Sequence, residues 1–183
     1  MMGNARSQLW KRWLLPALIV CVAGGLRMAR LDRMALWGDE ACMVYLCQET
    51  PENIVAALAS ADRPDVDVAP PLYFLVLHVW MKWFGTSVAA VRGLSALFSL
   101  LTVVCVMGLT RRLFTRNIAL AAGILTTISP FQIWYAQECR MYAMATCLAA
   151  AAIWALAAAV TPPRPTTAWI LFFVMGLTLL YTQ

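Results

Sequence analysis

The feature that most constrains this chain is a mainly apolar run at residues 87–109, in which Arg92 is the sole charge. A stretch of about 20 apolar residues is the length of helix that crosses a bilayer. Similar or shorter apolar runs occupy residues 13–26, 118–128, 143–160 and 169–181. The composition agrees, because 62% of residues are hydrophobic and 13% charged, against roughly one half and one quarter in soluble domains. We expect an all-α polytopic membrane protein with about four transmembrane helices.

The first apolar run has two interpretations. Residues 13–26 are fewer than the usual ~17–25 of a span, and a basic flank precedes them, so a signal peptide is an alternative. The helix would reach further if Arg27 and Arg30 extended their charged ends to the lipid headgroups. No convincing small-residue cleavage site follows, so we favour a retained anchor.

The charges separate into two patterns. The formal net charge is +5, but basic residues stand as ones and twos beside apolar runs, where they meet headgroups, which argues against nucleic-acid binding. Eight of the nine acids lie between residues 32 and 67, and the other is Glu138. Alternation of spans would return Glu138 to the membrane face of the acidic loop, with the basic turn at 111–116 on the opposite face. The counts of Lys and Arg leave open which face is cytoplasmic.

The loop at residues 27–69 and the segment after it contain predicted helices outside the spans. Asp39 is expected to cap a short helix that begins at Glu40. Thr50 and Pro51 begin a second one, which should stop near residues 62–64. After two prolines, residues 72–84 form an aromatic-rich helix expected at the membrane interface.

Two cysteines share the acidic loop. A disulfide between Cys42 and Cys47 is possible if the loop faces an oxidising compartment. We disfavour it, because nearby positions on a helix do not face each other.

Most of the candidate catalytic and substrate-binding residues are charged residues near the ends of the predicted spans. A partly desolvated Asp39 or Glu40 could serve as a general base, although both also suit a helix start. Glu138 and Arg140 could belong to a site or form an interfacial ion pair. The candidates for contact with a lipid phosphate or the rest of a substrate are Arg140, Arg92, Lys82, His78 and Tyr142, and for several of these simple packing or membrane anchoring is the alternative. No cofactor motif or His-based metal spacing is present, and a divalent metal is neither indicated nor excluded.

Six motifs in order resemble the bacterial membrane glycosyltransferases of the GT-C superfamily, and in particular the family of dolichyl-phosphate-mannose protein mannosyltransferases and of the lipid A aminoarabinose transferase. They are Trp-x-Asp-Glu-Ala at 37–41, Pro-Pro-Leu-Tyr at 70–73, Trp-Met-Lys-Trp-Phe-Gly at 80–85, Arg-Gly-Leu-Ser-Ala-Leu-Phe at 92–98, Arg-Arg-Leu-Phe at 111–114, and Ser-Pro-Phe-x-x-Trp-Tyr-Ala-Gln-Glu-x-Arg-Met-Tyr at 129–142.

The resemblance implies an inverting transfer from a polyprenyl-phosphate sugar to a protein, lipid or glycan acceptor on the extracytoplasmic face of a bacterial inner membrane. By position, Asp39 would be the catalytic carboxylate, Glu40 its acidic neighbour and Glu138 the second acidic position. The N-terminus would be cytoplasmic and residues 27–69 would form the first extracytoplasmic loop. Family members are longer, so residues 1–183 are expected to be the N-terminal part of one such domain, which could be inactive alone.

A non-catalytic membrane module, such as a transporter fragment or a lipid-binding accessory subunit, is the alternative. A transporter would place its charges near the bilayer midplane on broken helices. Here they lie in a loop and at a span edge, which favours the enzyme.

Overall fold

The computed structural model describes residues 3–60, 70–163 and 165–182, with side chains from residue 13 onward. This part of the chain is helical and contains no strand. Its helices are α1 (Gly3–Met28), α2 (Gly38–Leu46), α3 (Pro51–Ala59), α4 (Leu72–Phe84), α5 (Val88–Leu113), α6 (Arg116–Ile128), α7 (Pro130–Ala136), α8 (Tyr142–Val160) and α9 (Thr166–Leu180). The all-α polytopic fold predicted from the sequence is confirmed.

Helix α5 is the centre of the bundle, since α1, α4, α6, α7 and α8 all pack against it, and α9 packs on α8. The approach of α5 to α8 depends on Gly108: a Cβ at that position would lie 2.5 Å from the side chain of Trp154. Ser95, Ser99 and Thr102 are buried in the same helix. Small side chains let membrane helices approach closely, and hydroxyls can bond to backbone carbonyls between them.

By length and hydropathy, α5 and α8 qualify as membrane spans within the described residues, and α6 with α7 makes a third if that bent pair is one span. In the part of the chain that the structure describes, the count by these criteria is two or three, where the sequence predicted about four. The pair α6–α7 is bent by 57°, because Ser129 ends α6 and Pro130 begins α7, and proline cannot donate a hydrogen bond to the preceding turn. The apolar residues of α1 and α9 form shorter helices than a span requires.

The side chain of Arg27 lies at the bend between α6 and α7. It is fully buried and donates hydrogen bonds to the carbonyl oxygens of Thr126 and Thr127 and to the hydroxyl of Ser99. Arg27 therefore does not extend to the headgroups. The last carbonyls of α6 have no partner within the helix, and the guanidinium satisfies them.

Outside the spans, α4 matches its predicted bounds, and Thr50 caps α3 as expected. Helix α3 ends at Ala59, and the predicted stop at residues 62–64 lies outside the described residues. The predicted cap at Asp39 is wrong: α2 starts at Gly38, after Trp37, so that Asp39 is inside its first turn. Cys42 and Cys47 are both free thiols.

A compact apolar core joins α2, α3 and α4 to the first turns of α5 and α8. Its largest fully buried members include Tyr73, Leu77, Ile54 and Val91. At the far end of α5, Arg112 donates hydrogen bonds to the carbonyl oxygens at the end of α8 and in the turn that follows. The basic turn at 111–116 and the acidic loop therefore lie at opposite ends of α5, as the alternation of spans predicted.

Candidate active site

Three segments that are distant in sequence meet at the N-terminal end of α5. They are the first turn of α2, the first turns of α5, and the turn at residues 138–140 between α7 and α8. The sequence predicted that the acidic loop and the segment around Glu138 would come together, and the structure confirms their meeting through Glu40, whose Oε1 accepts a hydrogen bond of 2.6 Å from the backbone N–H of Cys139.

Glu40 is fully buried at the centre of this meeting point. Its carboxylate accepts hydrogen bonds from Nε and Nη2 of Arg92, at 3.0 and 2.6 Å, and from the backbone N–H groups of Trp37 and Cys139. Burial opposes ionisation, but the hydrogen bonds from Arg92 and Cys139 and the charge of Arg92 outweigh it, so the pKa of Glu40 lies below its ordinary value. Glu40 is therefore a buried carboxylate anion with its oxygens already occupied.

The other hydrogen bonds of Arg92 go to carbonyl oxygens of the loop after α1. Nη1 donates to the carbonyl oxygens of Leu31 and Met34, both at 2.9 Å, and Nη2 donates to that of Ala35 at 3.2 Å. The Arg92 side chain is 8% exposed. The structure thus places this candidate phosphate ligand inside the protein, paired with Glu40.

Asp39 has a different environment from its neighbour. Its side chain is 53% exposed, and its Oδ2 lies 3.5 Å from Nη1 of Arg140. It occupies the first turn of α2, where the backbone dipoles favour a negative charge. The pair is open to solvent on one side, so a substrate can reach the Asp39 carboxylate.

Arg140 is held through its backbone as well as its side chain. The hydroxyl of Ser95 donates a hydrogen bond of 3.3 Å to the Arg140 carbonyl oxygen. The guanidinium carbon lies 5.7 Å from the centre of the Tyr142 ring, a distance at which a cation is attracted to the ring face. Arg140 therefore joins the exposed carboxylate of Asp39 to an aromatic surface.

Glu138 lies on the same turn, and its Oε1 accepts a hydrogen bond of 2.7 Å from the indole N–H of Trp134. Partial burial and the charge of Glu40 raise the pKa of Glu138, although the bond from Trp134 and the cation of Arg140 act in the other direction. Glu138 and Glu40 are thus two carboxyls whose pKa values are shifted in opposite directions.

The other two candidate ligands belong to α4. His78 is buried, and its Nδ1 lies 2.8 Å from the carbonyl oxygen of Cys47 at the end of α2. Lys82 is exposed one turn further along the same helix. His78 therefore helps to hold the end of α2 against α4, whereas Lys82 lies on the exposed surface of α4.

Next to Arg140 a cavity of about 590 Å³ opens between α7, α8 and α9. The rings of Phe131, Tyr135 and Tyr142 line it edge to face, with centroids 4.6 and 4.9 Å apart. Its remaining lining residues are Ala145, Thr146, Ala149, Leu179 and Leu180. The volume and the apolar lining of the cavity suit part of a lipid chain, and Tyr142 in its wall contacts Arg140.

Several of these features were not found by sequence reasoning. Ser95 carries a detectable signal, because it is a hydroxyl one turn after Arg92 in an apolar helix. The Cys139 donor is a backbone group and has no sequence signal. Within the described ranges, no three His, Cys, Asp or Glu side chains come close enough to hold a metal ion.

The sequence matches the family model described as dolichyl-phosphate-mannose-protein mannosyltransferase over residues 68–182, more than half of the chain. The chain belongs to this family. The matched residues of this mannosyltransferase family member include Arg92, Glu138, Arg140 and Tyr142, whereas Asp39 and Glu40 precede the match. No curated protein and no solved structure matches the chain. The family membership identifies a membrane glycosyltransferase.

Proposed function

We propose that this protein transfers a sugar from a polyprenyl-phosphate donor to an acceptor hydroxyl, with inversion at the anomeric carbon. The observation that carries the proposal is the exposed Asp39 carboxylate, 3.5 Å from the Arg140 guanidinium. That guanidinium lies 5.7 Å from the ring of Tyr142, which lines an apolar cavity. The donor class agrees with the description of the family that matches the chain.

Each part of the pair has a role in this reaction. Asp39 accepts the proton of the acceptor hydroxyl as its oxygen attacks the anomeric carbon. The bond from that carbon to the phosphate oxygen breaks, and the lipid phosphate leaves with the bonding electrons. Arg140 supplies a cation with a planar set of donors for the phosphate. Attack opposite to the leaving phosphate inverts the anomeric centre.

The cavity supports a lipid-linked donor. Its aromatic and aliphatic lining between α8 and α9 would hold the first isoprenoid units, while Arg140 at its edge would hold the phosphate. The sugar would then project toward Asp39. Such positioning of reactants is itself a major source of catalysis.

The remaining candidates have secondary places in this proposal. Glu138, on the turn that carries Arg140, is proposed as a second carboxylate of the site, held in place by the hydrogen bond from Trp134. Lys82, exposed on α4, is proposed to contact headgroups or the acceptor. We further propose that the acidic loop is extracytoplasmic in a bacterial inner membrane, with the N-terminus in the cytoplasm, and that the acceptor is a protein, lipid or glycan.

Lipid binding by an accessory subunit is the competing function, because it would need only the cavity. The exposed Asp39 favours the enzyme, because lipid binding has no use for a carboxylate beside the phosphate-binding cation.

The test uses purified protein in nanodiscs with dolichyl-phosphate-mannose and a panel of other polyprenyl-phosphate sugars, and follows release of polyprenyl phosphate. Asp39→Asn keeps the shape of the side chain but removes the base, so we expect transfer to fall at least about 100-fold. Glu52→Gln, which removes an exposed acid of α3, is the matched control and should transfer normally. Undiminished transfer by Asp39→Asn would eliminate Asp39 as the base.

A further inference from the structure

The proposed reaction leaves one part of the site unexplained, namely the buried pair of Glu40 and Arg92. Both side chains are almost fully buried, and between them they make hydrogen bonds to five backbone groups, at positions 31, 34, 35, 37 and 139. A buried ion pair is costly to desolvate and often adds little to stability. A pair with this many backbone partners is better suited to fixing the relative positions of segments.

The segments that it joins carry the reacting groups. Arg92 is 52 residues from Glu40 in sequence, and Cys139 is 99 residues from it. The backbone N–H of Cys139 is bound by Glu40, and the carbonyl of the next residue, Arg140, is bound by Ser95, one turn after Arg92 on α5. Two backbone groups of the turn are thus held, the N–H of Cys139 and the carbonyl of Arg140. They lie on either side of the peptide bond that joins these two residues.

We propose that Glu40 is the positioning residue of this site: by binding Arg92 and the Cys139 N–H, it seats the turn at residues 138–140 on α2 and so places Arg140 beside Asp39. The inference rests on the proposed roles of Asp39 and Arg140. It assigns Glu40 a function that differs from proton transfer, although Glu40 is adjacent to the proposed base in sequence.

The geometry excludes Glu40 as a second base in this arrangement. A base must reach the hydroxyl that it deprotonates, whereas the Glu40 side chain has no exposed surface and its oxygens accept four hydrogen bonds. The charged groups that surround it are its α2 neighbour Asp39, Arg92 from α5, and Glu138 and Arg140 from the turn.

The first experiment measures whether the turn is seated, without reference to activity. Cys139 is fully buried, and burial raises the pKa of its thiol to about 12, so N-ethylmaleimide should modify it slowly. Glu40→Gln places an amide NH2 against either Arg92 or the Cys139 N–H, both of which are donors. We expect Cys139 to react at least about 10-fold faster in this variant, as followed by peptide mass spectrometry.

Cys147, buried in α8, reports in the same sample whether the fold is intact and should stay slow. Glu52→Gln is the control for loss of one acid and should leave Cys139 protected. If Glu40→Gln also exposes Cys147, Arg92→Lys is measured instead, since it keeps the charge and removes the fork of donors. If neither variant exposes Cys139 selectively, the proposal is overturned.

The second experiment separates positioning from proton transfer through the pH dependence of kcat. A positioning role predicts that Glu40→Gln lowers kcat about 10- to 100-fold but keeps the acid limb of the profile. Disappearance of that limb in Glu40→Gln would instead make Glu40 the base and overturn the proposal. Undiminished transfer by Asp39→Asn would refute the proposed role of Asp39, while the Cys139 measurement would still decide whether Glu40 seats the turn.

Discussion

Replacing Arg27 with Met should destabilise the bundle at the bend between α6 and α7. The substitution keeps an unbranched chain of similar length but removes the donors to the Thr126 and Thr127 carbonyl oxygens, at 3.0 and 3.2 Å. The Ser99 hydroxyl loses Nε of Arg27 but still donates to the Gln132 carbonyl oxygen. The buried carbonyl of Thr127 and the partly buried carbonyl of Thr126 are therefore left without this partner.

Each buried acceptor left unsatisfied costs about 1–3 kcal/mol, and lipid offers no water to replace the donor. Removal of a buried guanidinium also relieves its own desolvation, which offsets part of the loss. We therefore expect the free energy of unfolding to fall by about 2–4 kcal/mol. Arg27→Lys should lose less, because an ammonium can keep one of the two bonds.

The assay is reversible unfolding in mixed detergent micelles, followed by circular dichroism. Arg33→Met is the matched control, because Arg33 is an exposed arginine in the loop after α1, and its loss should change the free energy of unfolding by at most about 0.5 kcal/mol. If Arg27→Met is no more destabilising than Arg33→Met, the guanidinium does not hold the bend.

Gly108→Ala should lower the free energy of unfolding by about 1–3 kcal/mol, because its Cβ would lie 2.5 Å from the Trp154 ring. Adding Trp154→Leu should restore stability. Gly176→Ala, whose Cβ would meet open space, should be neutral in the same assay. Ala149→Phe should fill the cavity and raise KM for a polyprenyl-phosphate sugar more than it lowers kcat, and equal effects on both would contradict the placement of the lipid. Glu40 has a folded pKa below its ordinary value near 4.5, so its contribution to stability is present above that value and is lost as pH falls through the folded pKa. In acid titrations followed by circular dichroism, Glu40→Gln should therefore be less stable than the unmodified protein at pH 7, and the difference should shrink toward pH 3.

The sequence predicted well the elements whose ends are marked by local chemistry. Helix α4 lies between two prolines and Gly85, which has a positive φ of 82°, and both signals are visible in the sequence. Ser87 likewise begins α5, with its side chain accepting a hydrogen bond from the Ala90 N–H. The alternation of spans was enough to predict that the acidic loop and the turn at residues 138–140 lie at the same end of the bundle.

What the sequence could not predict depends on partners far along the chain. Asp39 and Glu40 are adjacent and chemically alike, yet one is half exposed and the other fully buried, because Arg92 approaches from only one side of α2. Arg27 and Arg30 are similar in the sequence, but the bend at Ser129 creates free carbonyls for Arg27 alone. Such differences follow from packing, which composition and spacing do not encode.

The bond between Glu40 and the Cys139 N–H also has a consequence for biosynthesis. During translation Glu40 and Arg92 leave the ribosome before Cys139. Until the bent pair α6–α7 has been inserted and has returned the chain to the same membrane face, Oε1 of Glu40 can accept a hydrogen bond from Nε of Arg92 but lacks the one from the Cys139 N–H. The contact between Asp39 and Arg140 can therefore form only after these helices have been inserted.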